Sequence, residues 1–448
     1  MAPRAIAHKR QPVRGSYGMM VAAHGSVASR PRWRSIALWV SHWKFELSLD
    51  IFAGVAHLTL ANFSSSQEDA PVDAHKPYRT LHECFAPMKD PRIERNKLHK
   101  LIDILTVAIC AVVSGADNWT EIEEFGKAKI EWLRGFLELP NGIPSHDTFG
   151  EVFARLCPKQ FKECFLSWVR SVFDVTQGQV IAIDGKRLRR SHDHGRGKAA
   201  IHMVSAWACA NRLVLGQVKT DEKSNEITAI PELLRILELK GCIVTIDAMG
   251  AQTAIADQII AQEGDYVLAL KGNQSSLHDA VETFFADPTL PHDPDIAVHT
   301  HQTTDGGEHG RIEIRRYRCT SDISWLDERG RWRGLQSICA VESERHIGEE
   351  ISREVRHFIG SIPADPKLWA YAVRAHWGIE NNLHWRLDVA FREDESRVRK
   401  GHADENLAVL RHIALNLLTQ EKSLKRGTQT KRRRAGWDDA YRLKVLTG

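Results

Sequence analysis

Two short apolar runs that end in an aspartate decide the fold: VIAIDGK (Val180–Lys186) and IVTIDAMG (Ile243–Gly250). Each pattern predicts a short buried strand that ends at its aspartate, Asp184 or Asp247. Further strands and helices surround both runs, which predicts an α/β fold, a mixed sheet flanked by helices. Neighbouring strands of such a sheet can bring two strand-end carboxylates together although they lie far apart in sequence.

A third acid, Glu380, lies in the segment AHWGIENNLHW, which predicts a helix. Two strand-end carboxylates and one helical carboxylate can hold a pair of divalent cations, and such a pair can cut and rejoin phosphodiester bonds. Oxygen ligands with no cysteine nearby favour Mg²⁺, with Mn²⁺ as a substitute. We therefore predict that Asp184, Asp247 and Glu380 are catalytic residues and the ligands of two metal ions.

The histidines beside Glu380 leave another kind of metal site open. His376, Glu380 and His384 are four residues apart and share one helix face, as in a His/Glu zinc site. The segment lacks the compact H-E-x-x-H pattern, and a zinc site would leave Asp184 and Asp247 unexplained. We therefore expect the two histidines to contact phosphate or to orient Glu380.

Three tryptophans are candidates for stacking on nucleobases. Trp377 and Trp385 lie two turns apart on the predicted glutamate helix, and we predict that they pack in the core instead. Trp325, in a more polar stretch, is the candidate for stacking on a flipped base.

The composition is that of a globular protein with basic ends. The chain has 448 residues, of which 43% are apolar and 26% charged, so it can form a sizeable core and several domains. The first 45 residues contain eight lysines and arginines and no acid, and the tail contains the run Lys431–Arg434. Basic ends suit a polyanion partner, although a merely solvated, disordered tail has the same composition.

The cysteines and the hydropathy pattern indicate a compartment. None of the eight cysteines forms a CxxC pair, and several lie in apolar runs, which is typical of a reducing compartment. The longest apolar stretch near the start, Ile51–Phe63, is too short to span a membrane, which takes about 20 residues. We therefore predict a cytoplasmic protein without a membrane partner.

Five regions are predicted along the chain. They are a basic extension that is either disordered or the product of an incorrectly early start codon (residues 1–80), a helical N-terminal domain (84–177), an α/β core (178–272 plus 366–421), a β-rich insertion (273–365) and a basic tail (422–448). In the helical domain, Thr120–Leu139 and His146–Leu156 form either a helix-turn-helix that reads DNA or a cap packed on the core.

Many segments resemble one family in the correct order. They include IAIDGKRLRRS, EKSNEITAIPELL, TIDAMGAQ, YVLALKGNQ, HGRIEIRRYR and RAHWGIENNLHWRLDVAFREDESRVR, together with FAPMKDPRIERNKLHKLIDIL, GADNWTEIEEFG and GIPSHDTFGEVFARL in the helical region. These segments resemble the H-repeat-associated insertion-sequence transposases, a branch of the DDE transposases with a ribonuclease-H-like fold. The likeness runs from residue 84 to residue 420.

The resemblance implies a function and a site. Asp184, Asp247 and Glu380 would be the DDE triad of a Mg²⁺-dependent DNA transposase. Such an enzyme binds the inverted-repeat ends of its element on double-stranded DNA, exposes a 3′-hydroxyl and joins it to target DNA, as a homodimer in the DNA complex. Two alternatives stay open, a catalytically silent DNA-binding derivative and a nuclease that cuts without joining.

Basic residues near the triad are candidates for DNA contact: Lys186, Arg187, Lys271, Arg374, His376 and His384. The wider group of transposases carries a tyrosine, an arginine and a lysine around its glutamate. Here His376 stands where that arginine would be and Leu387 where the lysine would be, so Arg374 or Arg386 could take over the contact with the DNA backbone.

Overall fold

The structure, a computed structural model, describes residues 81–172, 178–188, 190–191, 202–220, 226–290, 295–306 and 310–447. The predicted extension, residues 1–80, lies outside the described residues. The strands, in chain order, are β1 Val180–Arg187, β2 His202–Ala208, β3 Leu213–Lys219, β4 Ile243–Ile246, β5 Asp265–Leu270, β6 His299–Gly306, β7 Arg311–Thr320, β8 Ser337–Ile347 and β9 Glu350–Gly360.

Helices surround this sheet. They are α1 Leu81–Phe85, α2 Leu101–Val113, α3 Trp119–Ala128, α4 Ile130–Leu133, α5 His146–Arg155, α6 Pro158–Val172, α7 Glu226–Ile236, α8 Thr253–Ala261, α9 Ser275–Ala286, α10 Pro366–Ile379, α11 Trp385–Phe391, α12 Ala403–Gln420, α13 Thr428–Trp437 and α14 Asp439–Thr447. Within the described ranges, no helix is long and apolar enough to cross a bilayer.

The described strands form one sheet in the order β3-β2-β1-β4-β5-β9-β8-β7-β6. β1, β4 and β5 are mutually parallel, and the other neighbours are antiparallel. The parallel strands are apolar because helices such as α7 and α8 connect them and cover the sheet. The first five positions of the sheet, with helices on its faces, form the ribonuclease-H-like fold that the sequence predicts.

The region predicted as an insertion does not form a sheet of its own. Residues 273–365 contribute α9 and the strands β6–β9, and β9 pairs with β5 at the edge of the parallel core. Long antiparallel hairpins then continue the same sheet outward, through β8, β7 and β6. The strands of this region therefore lie in the same sheet as the core strands.

The N-terminal helices begin close to where their sequence signals predict. Ser145 caps α5 by accepting a hydrogen bond from Thr148 N, and α6 begins at Pro158. The helix predicted from Thr120 begins one residue earlier, at Trp119, because Asn118 caps α3 and accepts a hydrogen bond from Glu121 N at 3.0 Å.

The C-terminal segment predicted as a basic tail is folded into α13 and α14. Two of its cations, Lys431 and Arg432, are buried. Arg432 donates to the carbonyls of Val112 and Ala116 and to Asp117, each at 3.0 Å, and its guanidinium lies 4.2 Å from the ring centre of Phe391. These cations therefore hold helices together, and only part of the run faces solvent.

Candidate active site

The two strand-end aspartates lie side by side. β1 and β4 are parallel neighbours, and Ile183 pairs with Ile246, each one residue before its aspartate. The register therefore puts Asp184 and Asp247 at the same edge of the sheet, as the sequence predicts. β1 continues past Asp184 to Arg187, since Gly185 and the residues after it still pair with β2.

Asp247 is held by the turn that follows it. Residues Ala248–Gly250 form a single 3₁₀ turn, and Oδ1 of Asp247 accepts hydrogen bonds from Met249 N at 3.1 Å and Gly250 N at 3.4 Å. The second carboxylate oxygen is left for another partner, so this Asx-type cap fixes the orientation of the side chain without occupying all of it.

Glu380 and His384 come from a widened turn between α10 and α11. In this π-helical turn, Glu380–His384, the N–H of Trp385 donates to the carbonyl of Glu380, five residues back. Such turns occur often at functional sites. One ligand atom each from Asp184, Glu380 and His384 lies within 4.8 Å of the others.

A fourth acid, Glu226, stands at the same edge and was not predicted. It begins α7, is 6% exposed, and forms a group with Asp184 and Asp247 whose ligand atoms all lie within 4.8 Å of one another. Its Oε1 also lies 2.8 Å from Nε2 of His202. Two signals were available: Glu226 lies in the family-like segment EKSNEITAIPELL, and it is in the first turn of a helix, which is ordinary because the helix dipole favours an acid there.

The pKa values of the two aspartates are shifted in opposite directions. Burial raises the pKa of Asp247, and the neighbouring carboxylates of Glu226 and Asp184 raise it further. Burial also acts to raise the pKa of Asp184, but the contact with His384 and the attraction of His376 outweigh it, so this pKa is lowered. Crowded carboxylates of this kind are stabilised by a cation between them.

Two histidines occupy different positions around the acids. His384 is 4% exposed, its Nε2 lies 3.4 Å from Oδ2 of Asp184, and neither ring nitrogen makes a hydrogen bond to any described residue. His376 is half-buried and its Nδ1 lies 3.0 Å from Oγ1 of Thr245 on β4. Burial lowers the pKa of His376. Only His384 therefore shares a ligand group with Glu380, and His376 contacts the strand.

A third histidine, His202, faces Glu226. The hydrogen bond from its ring to the Glu226 carboxylate is the main cause that raises the pKa of His202. This pair ties the start of α7 to β2, next to Gly185.

Lys186, a predicted DNA contact, lies in an internal ion-pair network. Its side chain is 11% exposed, and its ammonium group contacts the carboxylates of Asp388 on α11 and, at 3.0 Å, of Glu393 just after α11. Burial opposes the charge, but Glu393 and Asp388 outweigh it and raise the pKa of Lys186. The contact joins β1 to the helix that follows Glu380, so DNA contact by Lys186 stays a prediction.

The other predicted DNA contacts are more accessible. Arg187 and Lys271 are exposed at the ends of β1 and β5. Arg374 is exposed on α10, with its guanidinium 3.7 Å from Asp305. Trp325 is 38% exposed and stacks on Phe284 with ring centres 4.8 Å apart. Contact of these residues with DNA stays a prediction.

The prediction that Trp377 and Trp385 pack in the core is wrong. They are 41% and 59% exposed. The buried face of α10 and the turn after it consists of Trp369, Val373, Ile379 and other apolar residues, which leaves the two tryptophans on the solvent side. Arg356 covers the ring of Trp377 at 4.7 Å.

The comparisons with known proteins agree on one family. A family model described as "Transposase DDE domain" matches residues 176–417, and one described as "DDE_Tnp_1-associated" matches residues 82–169. "H repeat-associated putative transposase YhhI" of Escherichia coli K12 is 44% identical over 375 residues, which cover 83% of this chain and 98% of that protein. "Putative transposase YncI" of Escherichia coli O157:H7 is 42% identical over 373 residues, which cover 82% and 94%.

Among solved structures, a cryo-EM structure of the piggyBac transposase synaptic complex with hairpin DNA is similar at a TM-score of 0.36 and 11% identity, over 80% of this chain and 74% of that one. A likeness of this size carries no inference. The family model and the curated relatives suffice to confirm the resemblance seen in the sequence: the chain belongs to the transposases that carry a DDE domain.

Proposed function

We propose that this protein is a DNA transposase that uses Asp184, Asp247 and Glu380 to hydrolyse phosphodiester bonds at the ends of its element and to transfer the resulting 3′-hydroxyl to target DNA. The observation that carries the proposal is that acids from separate elements converge on Asp184, which forms one close ligand group with Asp247 and another with Glu380. Membership of the DDE transposases supports the reaction class.

The residues present fit divalent metal ions. Asp184, Asp247 and Glu380 offer carboxylate oxygens, which suit Mg²⁺ and Mn²⁺. His384 adds a buried ring whose nitrogens make no hydrogen bond within the described residues and which faces Asp184. A buried polar group without a hydrogen bond is costly, so a ligand at this place would stabilise the arrangement. Asp184 belongs to two groups of closely spaced ligands, one with Glu380 and His384 and one with Glu226 and Asp247, and would be shared between two ions.

Each acid has its own part in the site. A pair of bound cations would activate the attacking water or 3′-hydroxyl and stabilise the leaving 3′-oxygen. Asp184 and Asp247 are fixed by strand register and by the turn after β4, so they hold their oxygens in place before substrate arrives. Glu380 is exposed, so a DNA phosphate would reach it from solvent.

The substrate would be double-stranded DNA, both the inverted-repeat ends and the target. The cations that would bind phosphates are exposed: Arg187, Lys271 and Arg374. Because the substrate would be DNA, the reaction would take place in the cytoplasm. Bringing two element ends together calls for a homodimer in the DNA complex. His384 would orient Asp184, and His376 on α10 would contact Thr245 of β4.

The test is a strand-transfer assay with the DNA that flanks this gene as the donor and a plasmid as the target. The wild-type protein and its Asp184→Ala variant are each incubated with Mg²⁺ or with a chelator. The proposal predicts joined product that needs both Mg²⁺ and Asp184. Cleavage without joining would favour the nuclease, and end-specific binding with neither reaction would favour the silent DNA-binding derivative.

A further inference from the structure

Glu226 stands in the site but belongs to no part of the predicted triad. It comes from α7, whereas the triad comes from β1, from the end of β4 and from the turn after α10. The described chain contains three groups of at least three closely spaced ligand residues, and only Asp184, Glu226 and Asp247 consist of carboxylates alone. An all-carboxylate group is the one that best suits Mg²⁺.

The fold makes specific room for the Glu226 carboxylate. A Cβ on Gly185, the residue after Asp184, would overlap the Glu226 carboxylate and lie 2.7 Å from Nε2 of His202. Gly185 is not among the described glycines with positive φ, so the position requires a glycine for its small size and not for its backbone conformation. The missing side chain thus leaves a space beside Asp184 that Glu226 fills.

The placement of α7 keeps Glu226 close to Asp247 as well. The helix packs against the turn that follows Asp247, and Ile230, one helical turn after Glu226, contacts Gly250 within that turn. Ile230 is itself buried. Because residues four apart share a helix face, the contact of Ile230 with Gly250 turns Glu226 toward the same edge.

A second observation points to a ligand in this cluster. Asp184 also meets His384, a nine-tenths buried side chain whose ring nitrogens make no hydrogen bond to the residues that the structure describes. The acids crowded on one side of Asp184 and the buried ring without a hydrogen bond on the other together indicate that cations complete the site.

We propose that Glu226 is a fourth carboxylate of the metal centre and holds a divalent cation together with Asp184 and Asp247. The proposal rests on the metal-dependent function proposed above and adds one ligand to it. His202, whose ring contacts the same carboxylate, competes with the cation for Oε1. The alternative is that Glu226 serves only as the partner of His202.

Binding of Mn²⁺ to the full chain without DNA separates these roles. Isothermal titration calorimetry and Mn²⁺ electron paramagnetic resonance give the number and affinity of bound ions, independent of activity. Glu226→Gln should weaken the tightest Mn²⁺ site by at least about tenfold. The matched control is Glu232→Gln, which removes the same charge from the exposed face of the same helix and should leave the affinity within about twofold.

A further variant shows whether a negative result refutes only Glu226 as a ligand or the whole proposed metal centre. Asp184→Asn should abolish Mn²⁺ binding; if it does and Glu226→Gln binds as the wild type does, the fourth ligand is refuted and the triad stands. If neither substitution changes binding, the metal centre itself is refuted.

One more variant covers the case in which Glu226→Gln does not fold. His202→Gln leaves the carboxylate intact and removes its competitor, so Mn²⁺ should bind as tightly as in the wild type or several-fold tighter. A loss of Mn²⁺ binding by a folded His202→Gln protein, as judged by circular dichroism, would overturn the proposal, because binding would then depend on the ion pair and not on a free ligand.

Discussion

Gly185 and Glu226 are matched in shape: the carboxylate of Glu226 occupies the space that a side chain on Gly185 would fill. In the sequence, Asp-Gly after an apolar run is typical of a turn. In the structure, Gly185 lies within β1 and pairs with Val204 on β2. The glycine therefore makes room for the Glu226 carboxylate and does not form a turn.

Gly185→Ala should disturb the site more than its single methyl group suggests. The new Cβ would push away the Glu226 carboxylate and the His202 ring, so we expect the free energy of unfolding to fall by about 1–3 kcal/mol. Urea unfolding measures this loss. Gly272→Ala, where a Cβ meets no atom within 4 Å, is the control and should change stability by less than about 0.5 kcal/mol. Equal effects of the two substitutions would contradict the shape match.

Substitutions at Lys186 and at Arg187 should have different effects, the first on the stability of the fold and the second on DNA binding. Lys186→Ala leaves Glu393, whose side chain is 2% exposed, without one of its cations, so the free energy of unfolding should fall by about 3 kcal/mol. Arg187 is exposed, and Arg187→Ala should leave stability within about 0.5 kcal/mol while it weakens DNA binding and reduces the salt dependence.

Chemical denaturation and fluorescence anisotropy at two salt concentrations measure these two properties. A Lys186→Ala protein of wild-type stability that binds DNA weakly would show that Lys186 contacts phosphate, as predicted from the sequence.

Arg432 should matter for the fold although it lies in a basic run. Its guanidinium satisfies carbonyls at the end of α2 and at Ala390 in α11, and it pairs with Asp117. Arg432→Met should lower the free energy of unfolding by about 2–4 kcal/mol, because several buried acceptors lose a charged donor. Arg433→Met, at the exposed neighbouring position, should have little effect. Thermal and urea unfolding of both variants measure this difference. Equal stability of the two variants would contradict a structural role for Arg432.

Glu421 should give the stability a defined dependence on pH. This carboxylate is 2% exposed; burial opposes its charge, but hydrogen bonds from Ser423 and Tyr441 outweigh burial and lower its pKa to about 2. Because the pKa is lower in the folded state, the stabilisation is present above the usual pKa near 4.5 and is lost as the pH falls toward 2.

Glu421→Gln should therefore cost about 1–2 kcal/mol at neutral pH, from the loss of charged hydrogen bonds, and less in acid. Urea unfolding of both proteins at several pH values between 7 and 3.5 measures the difference. A difference that stays constant or grows as the pH falls would contradict the assigned role of Glu421.

The core of the fold was predictable because its signals are local. An apolar run of four residues before Asp184, and another before Asp247, predicts two buried strands, and parallel neighbours place their ends together. Ser145 and Pro158 likewise mark helix starts by chemistry within one turn. The predicted positions of the two aspartates depend only on these local signals.

The features that the sequence did not predict depend on distant contacts. Glu226 looks like any acid at a helix start, and only the packing of α7 shows what it faces. The cations Lys186 and Arg432 look solvated, because their partners at Glu393 and Val112 are far away in sequence. Trp377 and Trp385 have helical spacing, but spacing alone does not tell which face of α10 is covered.

The most direct test of the central claim is the yield of joined DNA as a function of Mg²⁺ for the wild type, Asp247→Asn and Asp257→Asn, each shown to be folded. Asp257 is an exposed acid on α8, so its substitution controls for the loss of one charge. The account predicts Mg²⁺-dependent joining by the wild type and by Asp257→Asn, and a loss of at least about a thousandfold in Asp247→Asn. Joining by Asp247→Asn at the wild-type rate would contradict a catalytic site built on these acids.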